Sequence, residues 1–190
     1  MSLIFDGTNG LTLPSWTSAA RPASPTGGQM GYNSTLGGIE VYNSVSGNWD
    51  LLTGGPAFSA YQTAGSAYGS ATPTKVQFQT KEYDTASAFD NTTNYRFQPS
   101  VPGYYQINGG VSGGVQSSYY SVNIYKNGVA YKTGGSYTTS GVTPNGAVSS
   151  VVALNGTSDY VEIWVNAASG STTYTGIAST YFNGAYLRGL

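Results

Sequence analysis

Five carboxylates, Glu82, Asp84, Asp90, Asp159 and Glu162, are the side chains of this sequence best suited to chemistry. Two of them facing each other would suffice for glycoside hydrolysis, one acid protonating the leaving oxygen while the other activates water or attacks the sugar. Histidine and cysteine are both absent, which removes Ser/His/Asp triads, most zinc sites, thiolate nucleophiles and any disulfide framework. Each carboxylate also falls close to a turn signal, where acidic side chains ordinarily cap backbone amides or stay solvated. Capping is the expected duty of these groups, and the chain is expected not to be an enzyme. Asp84, Asp90 and Asn91 offer hard oxygens for a structural Ca2+, although no densely acidic loop of calcium spacing accompanies them.

Tyrosine is the second chemically informative residue. Seventeen Tyr and three Trp exceed what one core of this size needs, and tyrosine combines broad apolar area with a polar tip at small entropic cost. Packing between subunits accounts for some of them. Others fall in stretches rich in Gly, Ser, Thr and Asn, at 114–119, 134–145 and 167–176, whose composition suits adaptable recognition surfaces. Tyr119, Tyr137 and Tyr174 are the candidate receptor-binding residues of these loops, and they are expected to be more exposed than Tyr125 and Tyr186, which lie on strand patterns. Asn33, Asn91 and Asn155 open glycosylation triplets, but with no secretory signal these read as turn chemistry.

Elements that could carry such loops follow from composition. Only 8% of the 190 residues are charged and Gly is abundant, so strands and turns dominate and helix-favouring surfaces are nearly absent. A formal net charge of −1 provides no basic face for a phosphate backbone, which excludes nucleic acid as a partner. So weakly charged a surface also favours hiding apolar area between subunits. The first ten residues have neither a basic region nor an apolar run, and no segment reaches the roughly 20 apolar residues of a membrane span. Neither secretion by a signal peptide nor membrane insertion is expected.

The chain divides near Gly54, Gly55 and Pro56 into a region 1–55 and a region 56–190. In the first, a Pro-rich connector over 21–27 leads into three strand candidates at 29–33, 38–42 and 48–52. A meander of about 25 residues cannot bury a sufficient core alone, so it needs the next region or copies of itself. In the second, strands are predicted at 58–61, 75–80, 94–98, 103–111, 119–125, 129–133, 147–154, 160–165 and 179–187. Tyr120, Val122 and Ile124 alternate with polar neighbours, as do Val161, Ile163 and Val165, so each strand should turn one face to a core. Asn127-Gly128 and Asn155-Gly156 mark turns. Many short strands with Gly-rich turns indicate an all-β sandwich.

The stretch from Phe78 to Gly109 adds a more specific sign. Phe78, Asp84, Phe89, Phe97, Gly103 and Tyr105 follow one another at a spacing that resembles the globular head of complement's first recognition component, a relative of the tumour necrosis factor jelly rolls. Seven residues separate Phe89 from Phe97 where that family has six, and Ile107 and Gly109 replace aromatic positions. Residues 125–128 resemble the family's hairpin and 181–187 its closing strand. The resemblance implies a jelly-roll β-sandwich over 56–190, with Phe97 and Phe182 in its core, and a homotrimer. Some heads of this kind hold Ca2+ near the trimer axis, which gives the Asp84 and Asp90 oxygens their interest.

Upstream, Arg-Pro-Ala-Ser-Pro at 21–25, Gly-Gln-Met-Gly-Tyr-Asn-Ser at 28–34, Ile-Glu-Val-Tyr-Asn at 39–43 and Trp49 resemble a segment recurrent in bacteriophage tail-fibre and virion appendage proteins. Together the two resemblances imply a non-enzymatic trimeric virion protein, made in the host cytoplasm and carried on the particle. Residues 1–55 would be the small β region that connects it to other virion proteins. The head would be the distal, receptor-binding domain, reading host carbohydrate or protein. A capsid decoration or structural virion protein is the alternative, and a polysaccharide depolymerase the third.

Overall fold

The computed structural model describes residues 4–6, 10–52, 54–69, 71–114, 119–136, 141 and 143–190. A hairpin of β1 (Ile4–Asp6) and β2 (Gly10–Thr12) comes first. Next is a four-stranded sheet in the order β3 (Ser15–Trp16), β4 (Met30–Asn33), β5 (Gly38–Asn43) and β6 (Asn48–Leu51). The last three are the predicted meander. The fourth strand, β3, pairs parallel to β4 and precedes the Pro-rich connector, so this sheet is larger than expected.

Trp16 explains the addition. Its ring lies directly over Gly31, where a Cβ would collide with it, and packs edge-on to Trp49 at 5.1 Å. Beneath these rings sits Glu40, with no exposed surface. It accepts hydrogen bonds from Trp16 Nε1 and from Asn33 Nδ2 (3.0 Å), and a two-pronged pair from Arg21 Nε (2.9 Å) and Nη2 (2.7 Å). Burial pushes the Glu40 carboxyl up, but the bonds from Arg21, Trp16 and Asn33 more than offset it and hold the group below its ordinary value.

The head is a two-sheet sandwich. Its chain runs through β7 (Ala57–Tyr61), β8 (Ala67–Tyr68), β9 (Thr74–Lys75), β10 (Thr80–Asp84), β11 (Phe89–Asp90), β12 (Arg96–Phe97) and β13 (Gly103–Ser112). It continues through β14 (Tyr120–Lys126), β15 (Val129–Ser136), β16 (Asn145–Leu154), β17 (Val161–Ala167), β18 (Ser171–Thr172) and β19 (Thr180–Arg188). One sheet has the order β10-β7-β19-β13-β16. The other has the order β11-β12-β17-β14-β15, with β9 also paired to β17. All pairings within the head are antiparallel.

The core between the sheets is aromatic. Phe58 stacks on Phe89 (4.9 Å) and Phe97 (4.3 Å) and meets Phe182 edge-on at 4.8 Å. Phe97 and Phe182 are fully buried, as are Val122, Ile124, Val161 and Ile163, which is the alternation read from the sequence. The single strand expected over 75–80 divides instead. Its ends, β9 and β10, belong to opposite sheets, and Val76 and Phe78 fill the core where the chain crosses between them. At the β14–β15 hairpin, Asn127 and Gly128 take φ values of 54° and 77°, the left-handed pair that a two-residue hairpin turn requires.

The N-terminal sheet joins the head at the end where β7 begins and β19 finishes. Tyr186 fills the space beside Gly55 and Gly103, Gly189 rests on the Asp50 side chain, and Asn48 Nδ2 donates to the Leu190 carbonyl (2.9 Å). No helix among the described residues is long and apolar enough to cross a membrane.

Candidate functional site

The loops at the far end of the sandwich, opposite the N-terminal sheet, are tied together by backbone bonds. Gly113 pairs with Thr173, Tyr174 N donates to Ser112 O (2.9 Å), Ala168 N to Tyr119 O (3.0 Å) and Gly176 N to Gln62 O (2.8 Å). Below them lies a buried polar cluster. Gln62 has no exposed surface and its amide donates to Ser66 Oγ (2.8 Å) and to Gln77 O (3.0 Å) while accepting from the Thr173 hydroxyl. The Thr180 hydroxyl, also buried, donates to Tyr174 O. A satisfied buried network of this kind fixes geometry, because each broken bond would leave a polar group stranded. The loop running from Thr173 to Thr180 is thus held from beneath.

On that loop Tyr174 is 46% exposed and Ile177 is 52% exposed. Tyr174 stands where the sequence placed it, displayed on a loop. Tyr119 reaches the same end but is half-buried, its hydroxyl donating to Asn166 Oδ1 (3.3 Å). Tyr125, which stacks on Trp164 at 4.5 Å, and Tyr186 at the junction are half-buried too, so the expected contrast in exposure does not hold for Tyr119. Tyr137 lies outside the described residues. Ile177 was missed in the sequence because a single apolar residue in a loop has no periodicity to betray it.

The carboxylates are engaged separately. Asp84 accepts from Ala88 N (3.0 Å), Phe89 N (3.1 Å) and Lys81 Nζ (3.1 Å). Asp90 accepts from the backbone of Thr92, Thr93 and Asn94, and those amides hold its carboxyl well below the usual range. Asp159 is held low chiefly by its bond from Asn127 Nδ2 (2.7 Å), with Lys126 Nζ adding to it at 3.0 Å. Glu162 pairs with Lys75 (2.7 Å) and Trp164 Nε1 (2.9 Å), and Glu82 accepts from Ser59 Oγ (2.6 Å). Turn capping and pairing are what these groups do. For Ca2+ the fit is poor: the oxygens of Asp84 and Asp90 already face N–H donors, and Asn91 Nδ2 donates to Gln79 O (2.8 Å). Among the described residues no group of three acidic side chains could hold a metal ion.

A second surface was not anticipated. On the outer side of the sheet containing β7, β19, β13 and β16, the register sets out rows across the strands. One row is Tyr61, Tyr181, Gly110 and Ala147; the next is Ser59, Asn183, Asn108 and Ser149; the third is Ala57, Ala185, Gln106 and Val151. None of these residues carries a charge; charge comes only at the margins, where the Glu82 carboxylate reaches Ser59 from β10 and Arg188 lies 5.5 Å from the Tyr104 ring. The middle row is internally bonded, Ser149 Oγ to Asn108 Oδ1 (2.8 Å) and Asn108 Nδ2 to Asn183 Oδ1 (2.9 Å). Tyr181 lies over Gly110, where a Cβ would strike its ring, which flattens the face. The signal was present in the sequence: apart from Val151 and Leu187, every second residue of these strands is small, amide, hydroxyl or aromatic. The outer side of the other sheet differs, with Lys75, Glu162 and Trp164 clustered and Arg96 over the Tyr160 ring at 4.3 Å.

No protein-family model matches the chain, and no curated protein matches it in sequence. Solved structures do match. The globular domain of zebrafish complement 1qA protein aligns at TM-score 0.54 and 20% identity, over 70% of this chain and 97% of that one. The Eiger tumour necrosis factor from S. frugiperda aligns at TM-score 0.59 and 8% identity, over 73% and 96%. The PRD1 vertex protein P5 aligns at TM-score 0.53 and 14% identity, over 71% and 99%. At such identities the likeness speaks to architecture, and the head of this chain has the fold of the complement and tumour necrosis factor jelly rolls.

Proposed function

We propose that this chain is a non-enzymatic, homotrimeric bacteriophage virion protein whose head is the distal, host-recognising domain of a tail fibre or related appendage. The observation that carries the receptor reading is the loop from Thr173 to Thr180. It displays Tyr174 and Ile177 to solvent on a base fixed by Gln62, Thr173 and Thr180, and a pre-ordered aromatic surface loses little entropy on binding carbohydrate or protein. The trimer is supported by the uncharged face of the head, which has the flat, hydrogen-bonded, small-residue surface that closed symmetric packing needs. It is also the assembly that the resemblance to complement and tumour necrosis factor heads implies. The N-terminal region links the head to the rest of the particle, and the protein, made in the host cytoplasm, ends on the virion.

A second reading is a capsid decoration or structural virion protein, and the likeness to the PRD1 vertex protein supports it. Immunogold labelling of intact particles separates the two. Gold at the tail tip, with purified protein adsorbing to host cells and competing with infection, is the expected result. Gold on the shell without adsorption would favour the structural role. Release of reducing sugar from host polysaccharide would replace both with a depolymerase.

A further inference from the structure

The N-terminal sheet has two faces of unlike fate. One is covered by the chain's own segment carrying Trp16 and Arg21, which closes over Glu40. The register places Met30 opposite Val41 and Val41 opposite Asp50 on the other face, and Leu52 continues that side. There Met30 is 41% exposed, Tyr32 42% and Leu52 54%. Exposed apolar residues scattered singly need no explanation, but a cluster on one face of a small sheet marks an interaction surface. Asp50 is the one charge on these strands' outer side, and it lies at the edge, bonded to Asn43 Nδ2 at 3.0 Å.

The position of this face says what meets it. Along β19, Ala185 and Leu187 are exposed; a register shift then sets Arg188 beside Tyr104, its guanidinium 5.5 Å from that ring, and Gly189 rests on the Asp50 side chain. Leu187 is 53% exposed and adjoins Tyr104 and Val151, also exposed. The outer side of the head therefore runs through Arg188 and Gly189 onto the N-terminal sheet at β6, and beyond the strip that Gly189 and Leu190 cover lies the exposed part of that sheet's face. A partner seated on the first surface reaches the second.

We propose that the uncovered face of the N-terminal sheet, formed by Met30, Tyr32, Val41 and Leu52, packs against a second copy of this chain as a continuation of the head's uncharged interface. The proposal rests on the homotrimer reading of the head. It makes the N-terminal sheets part of the same closed assembly, each covering its neighbour, so that the apolar face is shielded without any other virion protein.

The test uses the full chain in three forms: wild type, Tyr32→Lys at the N-terminal face, and Ala185→Arg at the head face. Both substituted positions are exposed in the protomer, so folding is checked by circular dichroism and is expected to be unchanged. Sedimentation gives the assembly state on dilution, and mass spectrometry gives the rate at which hydrogen peroxide converts Met30 to its sulfoxide. The expected result is a wild-type trimer in which Met30 oxidises about tenfold more slowly than in dissociated Ala185→Arg, with Tyr32→Lys weakening assembly by about tenfold or more. A wild-type trimer whose Met30 reacts as fast as in the monomer, and which tolerates Tyr32→Lys, would overturn the proposal and leave the head trimer standing. Protection of Met30 only in intact particles would assign the face to a different virion protein and overturn the proposal equally. A monomeric wild type would sink both readings together.

Discussion

At the centre of the head, Phe58 is stacked among other rings; at the centre of the N-terminal sheet lies Glu40, a carboxylate with no exposed surface. The difference follows from size. Two sheets with strands of up to ten residues enclose enough apolar area to organise themselves around Phe58, Phe97, Phe182 and their neighbours. The N-terminal sheet has too few residues for that and is organised by direction instead, with Arg21, Trp16 and Asn33 all aimed at one carboxylate. An apolar core tolerates acid, whereas a buried ion pair is only as durable as its charge.

The largest expected effect is in the head. Phe97→Ala or Phe182→Ala should destabilise it by about 3–5 kcal/mol, since each removes a fully buried ring from a core that cannot collapse around the loss. Denaturant unfolding followed by far-ultraviolet circular dichroism reads this, and an unmoved midpoint would break the claim that rings organise the head.

Arg21→Met leaves the Glu40 charge buried without its cation and should cost the N-terminal sheet about 3 kcal/mol, at the low end of the range for broken buried pairs because Arg21 keeps 28% of its side chain in water. Fluorescence of Trp16 and Trp49, recorded in a Trp164→Phe background, follows that sheet alone. If the tryptophan transition does not shift, Glu40 is not what holds it.

Acid should remove the same interaction by degrees. The folded Glu40 carboxyl lies below its ordinary value of 4.5, so its stabilising contribution is full above that pH and is lost as pH falls through the lowered folded value. Asp90 and Asp159 are also held low, and the head loses their contributions in the same acid range. Those groups tie surface turns, and the ring core beneath them does not titrate. The tryptophan signal of the N-terminal sheet should therefore change at higher pH than the head's circular dichroism, and coincident transitions would erase the contrast between the regions.

The smallest effect on stability belongs to Tyr174→Ala, expected within about 0.5 kcal/mol because the ring is exposed and the loop is held by other groups. Host adsorption should nonetheless weaken. Lost assembly without a separate binding defect would assign Tyr174 to the interface between subunits.

Strands with sustained alternation were legible in the sequence. Val161, Ile163 and Val165 face the core as their spacing implies, and Asn127-Gly128 turns as its chemistry requires. Elements that depend on distant partners were not. β3 is only two residues long and exists because Gly31 leaves room for Trp16. Glu40 looks like an ordinary outward residue of an alternating strand until Arg21 is brought over it. In the candidate site, the capping roles of Asp84 and Asp90 were readable from the turns beside them, and Tyr174 from its loop. Tyr119 was not separable from Tyr125, because its partner Asn166 lies on another strand.

The lengthwise arrangement of the head has a mechanical consequence. Its long strands run from the end that meets the N-terminal sheet to the end that carries Tyr174, and β13 is joined to β16 by ten consecutive register pairs. Ladder bonds in antiparallel sheets lie across the strands, so a pull between the two ends loads them side by side in shear rather than unzipping them one at a time. In the proposed receptor-binding role, tension between virion and cell surface would be shared over such ladders.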